Sequence, residues 1–419
     1  MVKTARGMRD FLPEKMRQKQ FVEDSCRAVF EKYGFQPLQT PIVEEFGLLS
    51  KKSQGGEEIK KEIYYFKDQG GRELGLRFDL TVPLSRVMAM NPKISKPFKR
   101  YQISRVYRYD RPQAGRYREF TQADVDIVGS DSLLCEFECV AIAIEVMQKL
   151  GIKDFFIRIN DRQLLEDIAV NCSISREEMV EAFRTIDKLD KIDWSGVEEE
   201  LKEKKICSDI IEELKENDFQ AIEKKFKDCN IQSSGLEKVK KLLALLKAQG
   251  LDKYVKVDLS LARGLEYYTG MVFEVMCEGA KWTAAAGGRF DKLIASLGGE
   301  DVPAVGISFG VDRIMDVLGE KLEVKNPTKL FVVGLSQDAQ DKVLKLVQEI
   351  RKSGVNVEMG LKQRNIAKNI KYADKMGIPF IAIIGDNELK TQSFKVKKLD
   401  TGKETGIKFN ALEKLQQIV

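Results

Sequence analysis

Apolar residues at Val22, Cys26, Val29 and Tyr33 recur at helical spacing between Lys15 and Tyr33, and Gly34 supplies a stop. Extended patterns follow. Between residues 60 and 82, aromatic and branched residues flank Gly70 and Gly71, which predicts a hairpin whose second strand delivers Arg77 and Asp79. Residues 98–108 and 117–128 again read as strands, joined by the loop "YDRPQAGR". On the second of these, Glu119, Thr121, Ala123 and Val125 alternate with Phe120, Gln122, Asp124 and Asp126. A face carrying Gln122, Asp124 and Asp126 is costly to bury without partners, and a ligand groove would account for it. Helical spacing returns at Leu133, Phe137, Val140, Ile144 and Met147, predicting a helix over 133–150 that covers the other face of the sheet.

From about 160 to 252 the chain is dense in Lys and Glu and ends in the amphipathic series Val239, Leu242, Leu243 and Leu246, the pattern of a mostly helical insertion. Strand patterns resume at 254–261 and 268–277, then a glycine-rich turn "AAGGRFDKLIASLGG" and the segment "VPAVGISFGVDRIMDVLG". Beyond "EVKNPTK", strand and helix alternate through "LFVVG", "VNVEM" and "PFIAIIG", closing in a hairpin near Phe394 to Phe409. The expected fold class is α+β: an antiparallel-sheet catalytic core with flanking helices (1–160 and 253–325), a helical insertion (161–252) and a small C-terminal α/β domain (326–419).

Composition narrows the chemistry. The net charge of +5 is small for 419 residues, so any polynucleotide surface must come from how charge is distributed. The chain contains no histidine, which removes Ser-His and Cys-His nucleophiles and His-ligated metals. Seven scattered cysteines argue against a disulfide framework, and the charged N-terminus lacks a signal-peptide core; the expected location is the cytoplasm.

Catalysis must then rest on arginine, lysine, carboxylates, backbone groups or a substrate-borne metal. Arg77, the group Arg105, Arg108, Arg111, Arg116 and Arg118, then Arg263, Arg289 and Arg313 fall in separated structured segments. Fixed guanidinium groups bind phosphate oxygens bidentately and suit a polyphosphate, although any one of them could instead pair with a neighbouring acid. "ARGLEYYTG" sets Arg263 beside Tyr267 and Tyr268, a charge and aromatic walls for a pocket. "GISFGVDR" ends a strand in glycine before a helix that begins near Asp312 and carries Arg313 in its first turn.

"LRFDLTVP" (76–83), "YRYDRPQAGRYREFTQADVDIVG" (107–129), "LARGLEYYTGMVFEV" (261–275), "AAGGRFDKL" (285–293) and "PAVGISFGVDR" (303–313) together resemble histidyl-tRNA synthetases, of the second structural class of aminoacyl-tRNA synthetases. The resemblance implies ATP- and Mg2+-dependent formation of histidyl-adenylate, then transfer of the histidyl group to the 3′ end of histidine tRNA. It assigns Arg108, Arg263 and Arg313 to catalysis, with Arg108, Arg116 and Arg313 on ATP. Asp79, Thr81, Gln122, Asp126, Arg263, Tyr267 and Tyr268 fall on histidine; many relatives carry glutamate where this chain has Asp79 and Asp126. Arg111 and Gln113, at the tip of the basic loop, are expected to reach the tRNA acceptor end. The C-terminal domain would bind the anticodon, with Arg364, Lys368, Lys371 and Lys375 around one helix, and a homodimer is implied. The competing reading is a non-catalytic relative that serves as a regulatory subunit of ATP phosphoribosyltransferase. That relative usually lacks the terminal domain and parts of the motif that is intact here at 261–275.

Overall fold

The computed structural model describes residues 2–50, 62–111, 115–263, 267–280, 282–319 and 322–418. The chain divides into two compact units, one of Gln18–Leu322 with Met1–Leu12, the other of Glu323–Val419 with Pro13–Arg17.

The larger unit is built on an eight-stranded sheet. Its strands are β1 (Gln36–Pro37), β5 (Phe98–Tyr107), β6 (Glu119–Val128), β7 (Phe155–Asp161), β8 (Val255–Val257), β9 (Met271–Cys277), β10 (Ala285–Arg289) and β11 (Ala304–Gly310). They lie in the order β1-β5-β6-β11-β10-β9-β7-β8, antiparallel except for the parallel pairs β1–β5 and β7–β8 at the two edges. The short strands β2 (Val43–Glu45), β3 (Tyr65–Lys67) and β4 (Glu73–Leu76) form a separate three-stranded sheet, so the first 130 residues supply two sheets where one was expected.

One face of the large sheet is apolar and one is polar, as the alternation on β6 requires. Ala123, Val125 and Ile127 join Phe273, Val275, Val305, Ile307 and Phe309 in a core that also takes Val22, Cys26, Val29 and Phe30 of the first helix. The helix Leu134–Lys149 closes that core through Cys139, Val140 and Ala143. All seven cysteines are free, and Cys135 and Cys139 are buried packing residues. The helices from Arg162–Asn171 to Ser234–Ala248 share the same apolar cluster, through Leu164, Phe183, Leu201, Phe226 and Leu242.

Three local expectations change. β4 ends at Leu76, and Asp79 stands in the turn that opens a helix, Thr81–Met90, where its carboxylate accepts from the Val82 amide at 3.1 Å. Pro83 fits this first helical turn, where proline gives up an N–H that had no partner anyway. The glycine-rich "turn" is strand β10, which has small residues because its neighbours crowd it: a Cβ on Gly288 would meet Tyr268 at 2.9 Å. β7, a further strand, pairs with β9 and was not read from the sequence.

The smaller unit has the five strands β12 (Leu330–Gly334), β13 (Val357–Met359), β14 (Phe380–Ile384), β15 (Ser393–Lys398) and β16 (Glu404–Lys408) in the order β13-β12-β14-β15-β16. The first three are parallel and the last two form the expected antiparallel hairpin. Helix Gln337–Lys352 packs Val343, Leu346 and Ile350 on the sheet, and helix Ile366–Lys375 exposes Lys368, Lys371 and Lys375.

Candidate active site

The polar face of the large sheet floors a cavity of about 410 Å³. Its depth follows from register. Asp126 pairs with Arg100 on one side and Gly306 on the other, Asp124 with Gln102 and Ser308, and Gln122 with Ser104 and Gly310. The Arg100 guanidinium, fully buried, contacts the Asp126 carboxylate at 2.7 Å and donates to the Leu80 carbonyl at 3.0 Å. Asp124 and Asp126 are each 3% exposed, and burial pushes the Asp124 carboxyl up to about 7, with Asp126 and Asp79 pushing the same way against Arg100. Tyr267 and Tyr268 form one wall, their ring centroids 4.1 Å apart, and burial raises the Tyr268 phenol well above its ordinary value.

Four arginines, Arg108, Arg116, Arg263 and Arg313, line the same cavity. Each is held by an acceptor. Arg108 Nε donates to the Phe78 carbonyl at 3.0 Å and its guanidinium lies 5.1 Å over the Phe120 ring. Arg116 Nε donates to Asp110 at 2.7 Å. Arg263 pairs with Glu274 at 2.5 Å; that carboxylate is 1% exposed and also holds Arg158. Arg313, in the first turn of helix Val311–Leu318, donates to the Thr283 carbonyl at 3.1 Å. Burial lowers its pKa, and the guanidinium groups of Arg108, Arg263 and Arg116 lower it further. Around Arg313 the other guanidinium groups outweigh the opposing carboxylate of Glu274, and a polyanion is a ligand that relieves their mutual repulsion.

The other arginines that the sequence singled out do different work. Arg77 is buried and donates to the carbonyls of Thr40 at 2.7 Å, Arg105 at 2.9 Å and Pro41 at 3.2 Å, tying main-chain segments together. Arg289 makes a two-pronged bond to Glu136, at 2.5 and 2.8 Å, on the helix side of the sheet. Arg105 pairs with Glu119, and Arg118 donates to the Asp110 carbonyl. None of the four lines the cavity.

Ten of the twelve candidate residues meet in this cavity: Asp79, Thr81, Arg108, Arg116, Gln122, Asp126, Arg263, Tyr267, Tyr268 and Arg313. Arg111 is exposed and is not among its lining residues, while Gln113 lies outside the described residues. Sequence reading missed several partners. Asp124 was visible in the alternation of β6 yet not singled out; Glu274 stands on β9, four residues past the described part of "ARGLEYYTG", with no local sign of its ion pair. Asp312 was read only as a helix start, but its carboxylate, 3% exposed, accepts from the Thr121 amide at 2.7 Å and from Arg9. Arg9 in turn lies 3.5 Å over the Tyr117 ring, and the Gly7 carbonyl accepts from the Arg118 amide at 2.9 Å. No periodicity could announce contacts of that sequence separation. Lys191, from the helical insertion, also lines the cavity, and Asp187 stands 4.0 Å from Arg263.

Residues 7–314 match the family model for histidyl-tRNA synthetase, and residues 329–417 match that for an anticodon-binding domain. The chain is 34% identical to histidine–tRNA ligase 1 of Bacillus cereus, covering 98% of this chain and 96% of the relative. It is 37% identical to histidine–tRNA ligase 2 of Shouchella clausii, covering 97% and 98%. The crystal structure of histidyl-tRNA synthetase from Nostoc sp. PCC 7120 superposes over the full length of both chains with a TM-score of 0.85 at 30% identity. A Bacillus halodurans structure titled as an ATP phosphoribosyltransferase regulatory subunit/histidyl-tRNA synthetase shares the fold, with a TM-score of 0.76 at 22% identity over 92% of this chain and 98% of the other.

Proposed function

The chain belongs to the histidyl-tRNA synthetase family, and we propose that the arginine-lined cavity activates histidine with ATP and passes the histidyl group to the 3′ end of histidine tRNA. The observation that carries this reading is the convergence of Arg108, Arg116, Arg263 and Arg313 on one cavity that Asp79, Asp124 and Asp126 also line. A polyphosphate and an amino acid want opposite charge, and the cavity offers both within a single space.

In this reading Arg108 holds the α-phosphate, Arg313 the triphosphate tail and the adenine side, and Arg116 the ATP beside them. As the histidine carboxylate attacks the α-phosphorus, negative charge grows on the phosphoryl oxygens, and guanidinium groups already fixed there lower the barrier without reorganising. Arg263, steadied by Glu274, spans the junction of the two substrates. The carboxylate is itself the nucleophile, so no protein base is needed for this step and a chain without histidine can perform it. Magnesium enters with ATP as part of the substrate and supplies charge neutralisation at its oxygens; among the described residues no group of three or more Cys, Asp or Glu stands together to hold a metal.

Asp79, Thr81, Gln122, Asp126, Tyr267 and Tyr268 receive histidine, Asp79 taking the α-ammonium with Thr81 beside it, and Asp126, Tyr268 and Gln122 offering the polar groups that suit the imidazole ring. A pocket that hydrogen-bonds the ring discriminates by roughly 10⁴ to 10⁵ against apolar analogues, because its own groups would be left unpaired. Arg111 and Gln113 meet the acceptor end, and the C-terminal unit meets the anticodon through the helix bearing Lys368, Lys371 and Lys375. We further take the active species to be a homodimer in the cytoplasm; among the described residues no helix is long and apolar enough to cross a membrane. Residues 161–252 are read as the insertion and 326–419 as the anticodon-binding domain.

The test is pyrophosphate exchange into ATP with each amino acid in turn. Exchange with histidine alone is the expected result; no exchange with any amino acid would leave the non-catalytic relative as the better account.

A further inference from the structure

Arg9 stands behind the cavity wall and is not among its lining residues, yet two of its partners belong to that wall. Its guanidinium donates to the Asp312 carboxylate and lies 3.5 Å over the Tyr117 ring. Asp312 immediately precedes Arg313 in the first turn of helix Val311–Leu318, and Tyr117 immediately follows Arg116. One side chain near the N-terminus thus ties together the neighbours of two guanidinium groups that line the cavity, Arg116 beside β6 and Arg313 on the helix. The Gly7 carbonyl reinforces the tie by accepting from the Arg118 amide at 2.9 Å.

The need for such a tie follows from how β11 ends. The last pair between β6 and β11 is Gln122 with Gly310, after which the chain turns from β11 into the helix. The next amide of β6, that of Thr121, donates instead to the Asp312 carboxylate at 2.7 Å. A side chain there takes the place of a strand, and it brings a carboxylate, 3% exposed, to the wall of a cavity lined by four arginines. One of its oxygens accepts from Thr121 and the other from Arg9. Lys19 adds positive charge nearby, but it is itself buried, stands 3.9 Å from Glu23, and burial lowers its pKa. Arg105 is turned to Glu119. Without the Arg9 guanidinium, the Asp312 carboxylate would lose its direct ionic partner and repel an anion bound across the wall.

Building on the reading of this cavity as an ATP site, we propose that Arg9 is a positioning residue for ATP. It fixes the separation of Arg116 and Arg313 through Tyr117 and Asp312, and it keeps the Asp312 charge neutralised and turned to the Thr121 amide. The phosphates then meet guanidinium groups and not a carboxylate. Arg9 itself touches neither substrate.

Histidine-dependent pyrophosphate exchange with the full-length protein separates this role from a general loss of fold, because it yields a KM for each substrate. In Arg9→Ala the KM for ATP is expected to rise by roughly tenfold, the effect of one unpaired negative charge on an anion, while that for histidine stays within about twofold. Arg9→Lys retains the charge and is expected to recover most of that rise. The decisive comparison is a double-mutant cycle with Asp312→Asn, whose amide oxygen still accepts from Thr121 and carries no charge. In that background Arg9→Ala is expected to add less than about twofold to the ATP KM. Equal rises in both KM values, or effects of the two changes that multiply independently, overturn this inference and leave the ATP site standing. Absence of exchange in the parent protein overturns both. Should Arg9→Ala fail to fold, Arg9→Gln, closer in size, carries the same cycle.

Discussion

Gly306 and Asp126 are paired across β11 and β6, and the Asp126 carboxylate occupies the space a side chain at 306 would need: a Cβ there would stand 2.1 Å from Asp126 Oδ1. The glycine in "PAVGISFG" is thus a measure of how tightly the floor of the pocket is filled. Gly306→Ala must displace Asp126 or the Val125 carbonyl, 2.7 Å away. Overpacking of this kind costs about 1–3 kcal/mol, so the variant is expected to melt earlier and to show a raised KM for histidine with a smaller change in that for ATP.

Arg313 and Arg289 both belong to arginine-bearing motifs, yet their removal has opposite signatures. Arg313→Ala is expected to lower histidine-dependent pyrophosphate exchange by about 10²- to 10³-fold. Its stability should stay within about 1 kcal/mol of the parent's, because the lost hydrogen bonds are offset by relief from Arg108, Arg116 and Arg263. Exchange kinetics and a melting curve on one preparation check both halves.

Arg289→Ala, by contrast, strands the Glu136 carboxylate, 3% exposed, without its two-pronged partner. Breaking a buried pair from one side costs about 3–5 kcal/mol, so a large fall in denaturant midpoint is expected. A variant with normal stability and defective exchange would mean that Arg289 has been misread as structural.

The carboxyl of Asp124 also predicts how stability depends on pH without any substrate. Its folded-state pKa, about 7, lies above the ordinary 3.8, so the folded state binds more protons than the unfolded one between those values. This contribution is fully present below 3.8 and is lost as pH rises through 7, with a slope of at most about 1.4 kcal/mol per pH unit. Asp124→Asn removes the loss, so its stability relative to the parent should improve from pH 5 to pH 8. Urea titrations of both proteins at several pH values measure the difference.

Arg111 is exposed and outside the cavity, in keeping with a role after activation. Arg111→Ala is expected to leave pyrophosphate exchange near the parent rate and to weaken tRNA charging, with a smaller dependence on salt as one phosphate contact is lost. Equal loss in both assays would sink the assignment to RNA.

The first helix, the two-faced β6 with Gln122, Asp124 and Asp126 on one side, the helix that backs it, the alternating C-terminal unit and the motifs bearing Arg108, Arg263 and Arg313 were all legible in the sequence. Each rests on a period of two or about 3.6 residues or on a compact local motif, which a linear chain displays directly. Which arginines meet a substrate was not legible. Arg77 and Arg313 look alike along the chain, and only the fold gives one three main-chain carbonyls and the other a cavity with three more guanidinium groups. The same holds for the strand made of "AAGGR", the Arg9–Asp312 contact, Glu274 behind Arg263, and the acidity of Asp124. Burial, pairing and charge are sums over neighbours in space, and those neighbours come from segments up to three hundred residues apart.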